Sequence, residues 1–454
     1  MKNNYDWIEK GLNELRAMGL ERTLRKFDGV GGKFHGASGK ILNFSSNDYL
    51  GLTRNERIIA AGAAALKSYG AGATSSRLVS GTLPCHSELE ERLAKFKGYP
   101  AALVFGSGYL ANLGVIQALV GREDVIFADR LAHASMIDGA VLSRAELKRF
   151  QHNEPGHLSK LLQNEKSAGR KLVMTESVFS MDGDLAPLKE ISSICAKHGA
   201  MLLVDEAHAT GVFGPSGAGL VREYKLDPKN GKNIVPDVGP LLARGRPNSS
   251  EKDGAPPFGK LKVLSRVEGQ AAALQRNLST EGDPGIEPEN QVTVSMGTLS
   301  KAIGSYGGFV ACSTQIRDWF INRARSFIYS TALPPAVIRA STEALDILES
   351  KETLGRELLE RAGAFRKRLQ EAGFNTGKSA SQIIPLIVGK NQKALGLAER
   401  LREKKILVVA IRPPTVPEGT ARIRLSVTLD HSRVDLDQAA DQIIDAGYKE
   451  GIIS

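Results

Sequence analysis

Lys301 stands in VSMGTLSKAIGSYGG, after an apolar run and before a glycine-rich turn at 304–308, with Thr298 and Ser300 beside it. A surface lysine is the ordinary alternative. An apolar strand on one side and small residues on both favour an amine held at a strand end, where it can serve as a nucleophile. MLLVDEAH is apolar until Asp205, with His208 three residues further on. A lone strand-end carboxylate can also be a helix cap. DEAH labels a helicase motif as well, but the Gly-x-x-x-x-Gly-Lys-[Ser/Thr] phosphate loop is absent from the sequence, so that reading fails. Gly106, Ser107, Gly108 and Tyr109 break the run AALVF and open a helix. The free N–H groups of such a turn, with the helix dipole, attract an anion. His133, in DRLAHASMIDGA, offers a flat ring face, though a lone histidine is usually structural. Ser180, in TESVFSMDGD, lies just past a strand end and suits either a ligand contact or a turn.

Together these residue types match the needs of pyridoxal 5'-phosphate (PLP). The cofactor requires an amine for a Schiff base, an anion that keeps its pyridine nitrogen protonated, phosphate ligands, and a flat group on its ring face. At about 4 Å and an effective dielectric of about 20, a carboxylate stabilises a pyridinium by roughly 4 kcal/mol. Lys301 is the amine candidate and Asp205 the anion candidate.

The elements that must position these residues read as follows. Residues 5–27 form a charged helix with Leu12, Leu15 and Leu20 at near-helical spacing, leading to a glycine-rich turn at 29–32. From about 87 to 220, short apolar runs (AALVF, DVIFAD, KLVMTESVF, MLLVDEAH) alternate with amphipathic helices. That alternation predicts an α/β fold with a mostly parallel, doubly wound sheet, whose ligands sit at the carboxyl ends of the strands. Residues 228–290 are rich in Gly and Pro without an apolar period and read as an insertion, with a short helix around 269–278. The expected division is an N-terminal helix and strand segment at 1–45, a large cofactor-binding domain at 46–333 that carries the insertion, and a small α+β domain at 334–454.

Bulk properties narrow the function classes. A chain of 454 residues with 42% hydrophobic and 24% charged residues can bury a sizeable core, and no run approaches a membrane span. The N-terminus mixes Asp6, Glu9 and Glu14 with basic residues, unlike a secretory or transit leader. Cys85, Cys195 and Cys312 are scattered without metal-ligand spacing, which suits free thiols in the cytoplasm, and no metal is expected. The net charge of +10 comes without a basic arm or a nucleic-acid motif. It suits ligands that carry phosphate or carboxylate, or an acidic carrier.

The segments FSSNDYLGL, SSRLVSGTLPCHSELE, FGSGYLANLGV, FADRLAHASMIDG, FQHNEPGHL, TESVFSMDGDLAPL, LLVDEAHATGVFGPSGAG, SMGTLSKAIGSYGGF and IYSTALPP resemble the α-oxoamine synthase family of fold-type I PLP-dependent enzymes. The likeness covers nearly the whole chain outside 228–290. It implies an aminotransferase-like fold, a homodimer with shared sites, and condensation of an amino acid with an acyl thioester. Within the family, AIRPPTVPEGTARIRLSVT is similar to the member that joins L-alanine to a pimeloyl thioester, carried by CoA or acyl-carrier protein, in biotin assembly. A sister enzyme using glycine is the alternative, and a catalytically inactive partner subunit is opposed by the presence of Lys301.

The resemblance also implies roles. Lys301 is the Schiff-base lysine and the base, Asp205 pairs with the pyridine nitrogen, and His208 and Ser180 contact the ring's 3-oxygen. His133 stacks on the ring. Gly108, Tyr109 and Thr298 bind the phosphate, with Ser330 and Thr331 reaching that of the other subunit. Arg424, assisted by Asn47, grips the amino-acid carboxylate, while Arg22 meets the acyl substrate and Thr415 makes another substrate contact.

Overall fold

The structure, a computed structural model, describes residues 5–36, 39–228 and 291–454. The expected insertion, from residue 229 on, and its short helix lie outside the described residues. The chain begins with a helix at Asp6–Ala17, shorter than the one expected over 5–27. It ends because Gly19 takes φ +64°, a left-handed conformation that glycine adopts readily and that closes a helix. Strands β1 (Lys33–Gly36) and β2 (Gly39–Asn43) then pair antiparallel.

The central sheet is built from β3 (Ala101–Phe105), β4 (Val125–Asp129), β5 (Glu146–Phe150), β6 (Lys171–Glu176), β7 (Met201–Asp205), β8 (Val294–Thr298) and β9 (Gly308–Cys312). Their order is β3-β9-β8-β7-β6-β4-β5. All are parallel except β9, which runs against both β3 and β8. The exception follows from connection length: only residues 299–307 separate β8 from β9, too few for a crossover to a parallel neighbour. Helices on both faces explain why β3, β4, β7, β8 and β9 are buried at every position. The period of two divides their side chains between two cores. Ala102, Val104, Phe127, Val173 and Val204 join one, and Leu103, Phe105, Ile126, Leu172 and Leu203 the other. Each of the Val, Leu, Ile and Phe side chains contributes about 1.5–3 kcal/mol by leaving water.

Beyond the sheet, β10 (Ile383–Gly389), β11 (Ile406–Leu407), β12 (Val409–Ile411) and β13 (Ala421–Ser426) follow. β10, β13 and β12 make a small antiparallel sheet, while β11 adds in parallel to β2. The closing helix, Arg433–Lys449, starts at a capping box in which Ser432 and Asp435 satisfy each other's backbone N–H groups. Among the described residues no helix is long and apolar enough to cross a membrane.

Candidate active site

The carboxyl ends of β6, β7 and β8 lie side by side, with Glu176 opposite Asp205 and Asp205 opposite Met296. Asp205 therefore closes the middle strand of the sheet at its ligand-binding edge. Its side chain is buried, and two neutral donors hold it: Ala207 N–H to Oδ1 and Asn112 Nδ2 to Oδ2, both at 2.9 Å. The other hydrogen of the Asn112 amide goes to Ser135 Oγ at 2.9 Å, and Ser135 Oγ meets His133 Nδ1 at 2.8 Å. One asparagine thus orients both Asp205 and His133.

Lys301 follows β8 in a turn whose backbone is pinned by Leu299 N to Gly307 O, Ser305 N to Leu299 O and Gly304 N to Lys301 O, each at 2.9 Å. Its Nζ lies 2.9 Å from His208 Nε2. Burial lowers the amine to about 8, against the pull of Asp205 and with help from Arg424. His208 is held well below its ordinary value by burial and by the charges of Lys301 and Arg424, so it is neutral. Burial likewise lowers His133, which feels Asp205 and Lys301. These mutual influences gather His133, Asp205, His208 and Lys301 around one point.

Arg424, on β13, enters the same cluster from the small sheet. It is 8% exposed. Its Nε donates to Ser180 O at 2.6 Å, and its terminal nitrogens donate to Ser426 Oγ at 2.8 Å, Asn47 Oδ1 at 3.2 Å and Tyr49 Oη at 3.3 Å. Every one of these partners is neutral. Ser180 is anchored at its own N–H by Glu176 Oε2 at 3.2 Å. Its turn closes at Gly183, whose φ is +67° and where a Cβ would lie 2.0 Å from Ile383 O, so only glycine fits.

Gly108 and Tyr109 open the helix Gly108–Leu119 after β3, capped by Ser107. Gly308 lies against this turn so closely that a Cβ there would stand 2.4 Å from Gly108 N. The Tyr109 hydroxyl donates to Asp138. Thr298 is buried beside the turn, donating to Gly307 O at 2.9 Å and pairing with Ser300 Oγ at 2.8 Å. Ser330 and Thr331 line a small cavity of about 10 Å³ with Gly106 and Arg77. Arg22 and Thr415 touch each other at 3.5 Å near the surface.

The residues present fit PLP. Among the described residues, Asp205 has no cation and Lys301 no carboxylate within ion-pair reach. A buried anion and a buried amine that do not neutralise each other leave room for a cationic ring nitrogen and an imine. A buried oxygen of Glu176, Oε1, also lacks a partner. Sequence reasoning missed Asn112, Glu176 and Tyr49. Asn112 had a faint signal as one of two polar residues in ANLGVIQALV, and Glu176 ends β6 as Asp205 ends β7.

Residues 39–234 and 267–443 match the family Aminotransferase class I and II. The chain is 41% identical over 97% of its length to an 8-amino-7-oxononanoate synthase of Geobacter sulfurreducens, covering 98% of that protein. It is 40% identical over 97% of its length to that of Citrifermentans bemidjiense, again covering 98%. Among solved structures it is similar to a serine palmitoyltransferase from S. paucimobilis with a bound PLP–myriocin aldimine (TM-score 0.80, 28% identity, 99% and 98% of the two chains). It is also similar to the 8-amino-7-oxononanoate synthase of Francisella tularensis (TM-score 0.67, 26% identity, 90% and 99%). The chain therefore belongs to the aminotransferase class I and II family, among its 8-amino-7-oxononanoate synthases, as a fold-type I, PLP-dependent acyltransferase.

Proposed function

We propose that the protein condenses L-alanine with a pimeloyl thioester, of CoA or of acyl-carrier protein, to 8-amino-7-oxononanoate. The alanine carboxyl leaves as CO2 and the carrier as free thiol, a step of biotin biosynthesis. The observation that carries this reading is Arg424: a buried guanidinium with only neutral partners, in the cluster that contains Lys301. A substrate carboxylate would give it the bidentate partner it lacks.

PLP, when bound, supplies an electron-withdrawing ring that acidifies the α-carbon of an amino acid joined to it. Lys301 is the attachment point, and with its proton affinity lowered to about 8 it can hold or release a proton near neutrality. Asp205 keeps the ring nitrogen cationic, and His133 covers the ring face. Gly108, Tyr109 and Thr298 hold the phosphate, with Ser330 and Thr331 serving a partner copy. His208 and Ser180 contact the ring oxygen. Asn47 steadies Arg424, while Arg22 receives the distal carboxylate of pimelate and Thr415 makes another substrate contact. The reading includes a cytoplasmic homodimer and the division at residues 45 and 333. Free buried cysteines support the first, and exposed Leu78, Val79 and Tyr329 support a covered face.

The test supplies purified, PLP-loaded protein with pimeloyl-CoA and alanine, glycine or serine, and in parallel with acetyl- or palmitoyl-CoA. Mass spectrometry should find the amino-ketone and CO2 from alanine with pimeloyl-CoA. Preferential turnover of glycine or serine would assign the chain to a sister activity instead.

A further inference from the structure

Tyr49 is fully buried, and its hydroxyl lies 2.6 Å from His208 Nδ1, on the opposite side of the ring from Lys301. The same hydroxyl lies 3.1 Å from Asn47 Oδ1 and 3.3 Å from a terminal nitrogen of Arg424. Donor and acceptor roles in this group follow from chemistry. A guanidinium only donates, and an amide oxygen only accepts. Arg424 therefore donates to both Tyr49 Oη and Asn47 Oδ1. The single hydroxyl hydrogen of Tyr49 goes to Asn47 Oδ1, since otherwise two oxygens would face each other at 3.1 Å with no hydrogen between them. Burial raises the Tyr49 hydroxyl, so it keeps that hydrogen. Its remaining capacity toward His208 is as an acceptor, which requires the imidazole hydrogen on Nδ1. A neutral imidazole carries one hydrogen, so Nε2 faces Lys301 as a lone pair.

We propose that the Tyr49 hydroxyl is a positioning group: it holds the His208 hydrogen on Nδ1, presents Nε2 as an acceptor to the Lys301 amine, and so sets that amine's proton affinity. The proposal rests on Lys301 being the cofactor-bearing amine and extends that reading to a residue outside the cofactor's contacts. The other groups that face Lys301 are Asp205 from β7, Glu176 from β6, Arg424 from β13, and His133. Of these, Arg424 also donates to Tyr49, so a carboxylate bound at Arg424 is joined to Lys301 by one line of hydrogen bonds.

In Tyr49→Phe, His208 is released to carry its hydrogen on Nε2, and the Lys301 ammonium loses its acceptor. Loss of a hydrogen bond to a charged group corresponds to a fall of about one to two pH units in the midpoint for lysine reactivity. The test follows growth of the visible imine band when PLP is added to the full-length, PLP-depleted chain across pH. The wild type and Tyr49→Phe should differ by that shift. A merely structural role would lower the melting temperature and leave the midpoint in place, and an unmoved midpoint overturns the proposal. The second measurement uses the wild type alone: nitrogen NMR of labelled histidine, with His208 assigned by loss of its signals in His208→Asn. A protonated Nδ1 and a bare Nε2 are expected, and the reverse overturns the proposal whether or not Tyr49→Phe folds. Absence of any imine band in the wild type would instead defeat the assignment of Lys301, while the NMR result still decides the role of Tyr49.

Discussion

Replacing His152 by glutamine should remove a block of stability that depends on pH. His152 donates from Nδ1 to Asp129 Oδ1 at 3.0 Å and from Nε2 to Asp184 Oδ2 at 2.8 Å. Both donations together require the imidazolium. Burial pulls its pKa down, but the hydrogen bonds and charges of Asp129 and Asp184 prevail and raise it to about 10. The ring also stands edge-on to Phe179 at 4.4 Å, bracing the turn that carries Ser180. In the unfolded chain the group titrates near 6.5. Its folded value is raised, so its stabilisation is complete below about pH 6.5, declines as the pH climbs, and is gone above about pH 10. The ceiling is roughly 5 kcal/mol at about 1.4 kcal/mol per pH unit. With 24% of the side chain exposed, screening by solvent reduces this to about 2–3 kcal/mol. Glutamine keeps an amide NH2 at one end only and carries no charge. Urea unfolding of wild type and His152→Gln should differ by about 2–3 kcal/mol near pH 6 and by less than about 1 kcal/mol near pH 10. A difference that stays constant with pH would refute the imidazolium clasp.

Other substitutions test neighbouring parts of the account. Burial and the charge of Asp205 raise Glu176 well above the usual carboxylate range, so it is protonated and an amide imitates it. Glu176→Gln should keep near-wild-type melting, whereas Glu176→Ala, which strips the acceptor from Ser180 N–H, should cost about 1–2 kcal/mol in thermal unfolding. Lys97 and Glu206 form a fully buried pair completed by Ser295, Val221 N–H and Ala218 O. Glu206→Gln leaves the ammonium uncompensated and should lower urea stability by about 3 kcal/mol. Arg424→Lys loses the planar fork and should raise KM for alanine by about 10- to 100-fold in saturation curves; an unchanged KM would remove Arg424 from the substrate site.

The central sheet was readable because most of its strands are short apolar runs of the right length, the charged edge strand β5 excepted, separated by helices with an apolar stripe. Lys301, Asp205 and His208 were readable because each stands at or just past the end of such a run, where doubly wound sheets bind ligands. The N-terminal helix was drawn too long because Leu20 continued an apolar period that Gly19 had already broken in the backbone. Tyr49 and Asn112 left little trace for a different reason. Their partners are distant in sequence: 159 residues separate Tyr49 from His208, and 93 separate Asn112 from Asp205. Spacing along the chain carries no signal for contacts that only the folded sheet creates. Arg22 and Thr415, 393 residues apart, were singled out separately through the family resemblance, and the fold brings them within 3.5 Å of each other.

The central claim is that Lys301 is the amine that would carry PLP, with Asp205 as the anion that would pair with its ring nitrogen. It is tested most directly by loading the protein with PLP, reducing the imine with borohydride, and mapping the modified peptide by mass spectrometry. The account predicts the phosphopyridoxyl mass on Lys301 alone, and its loss in Lys301→Ala. A label on any other lysine, or none at all after loading, would contradict it.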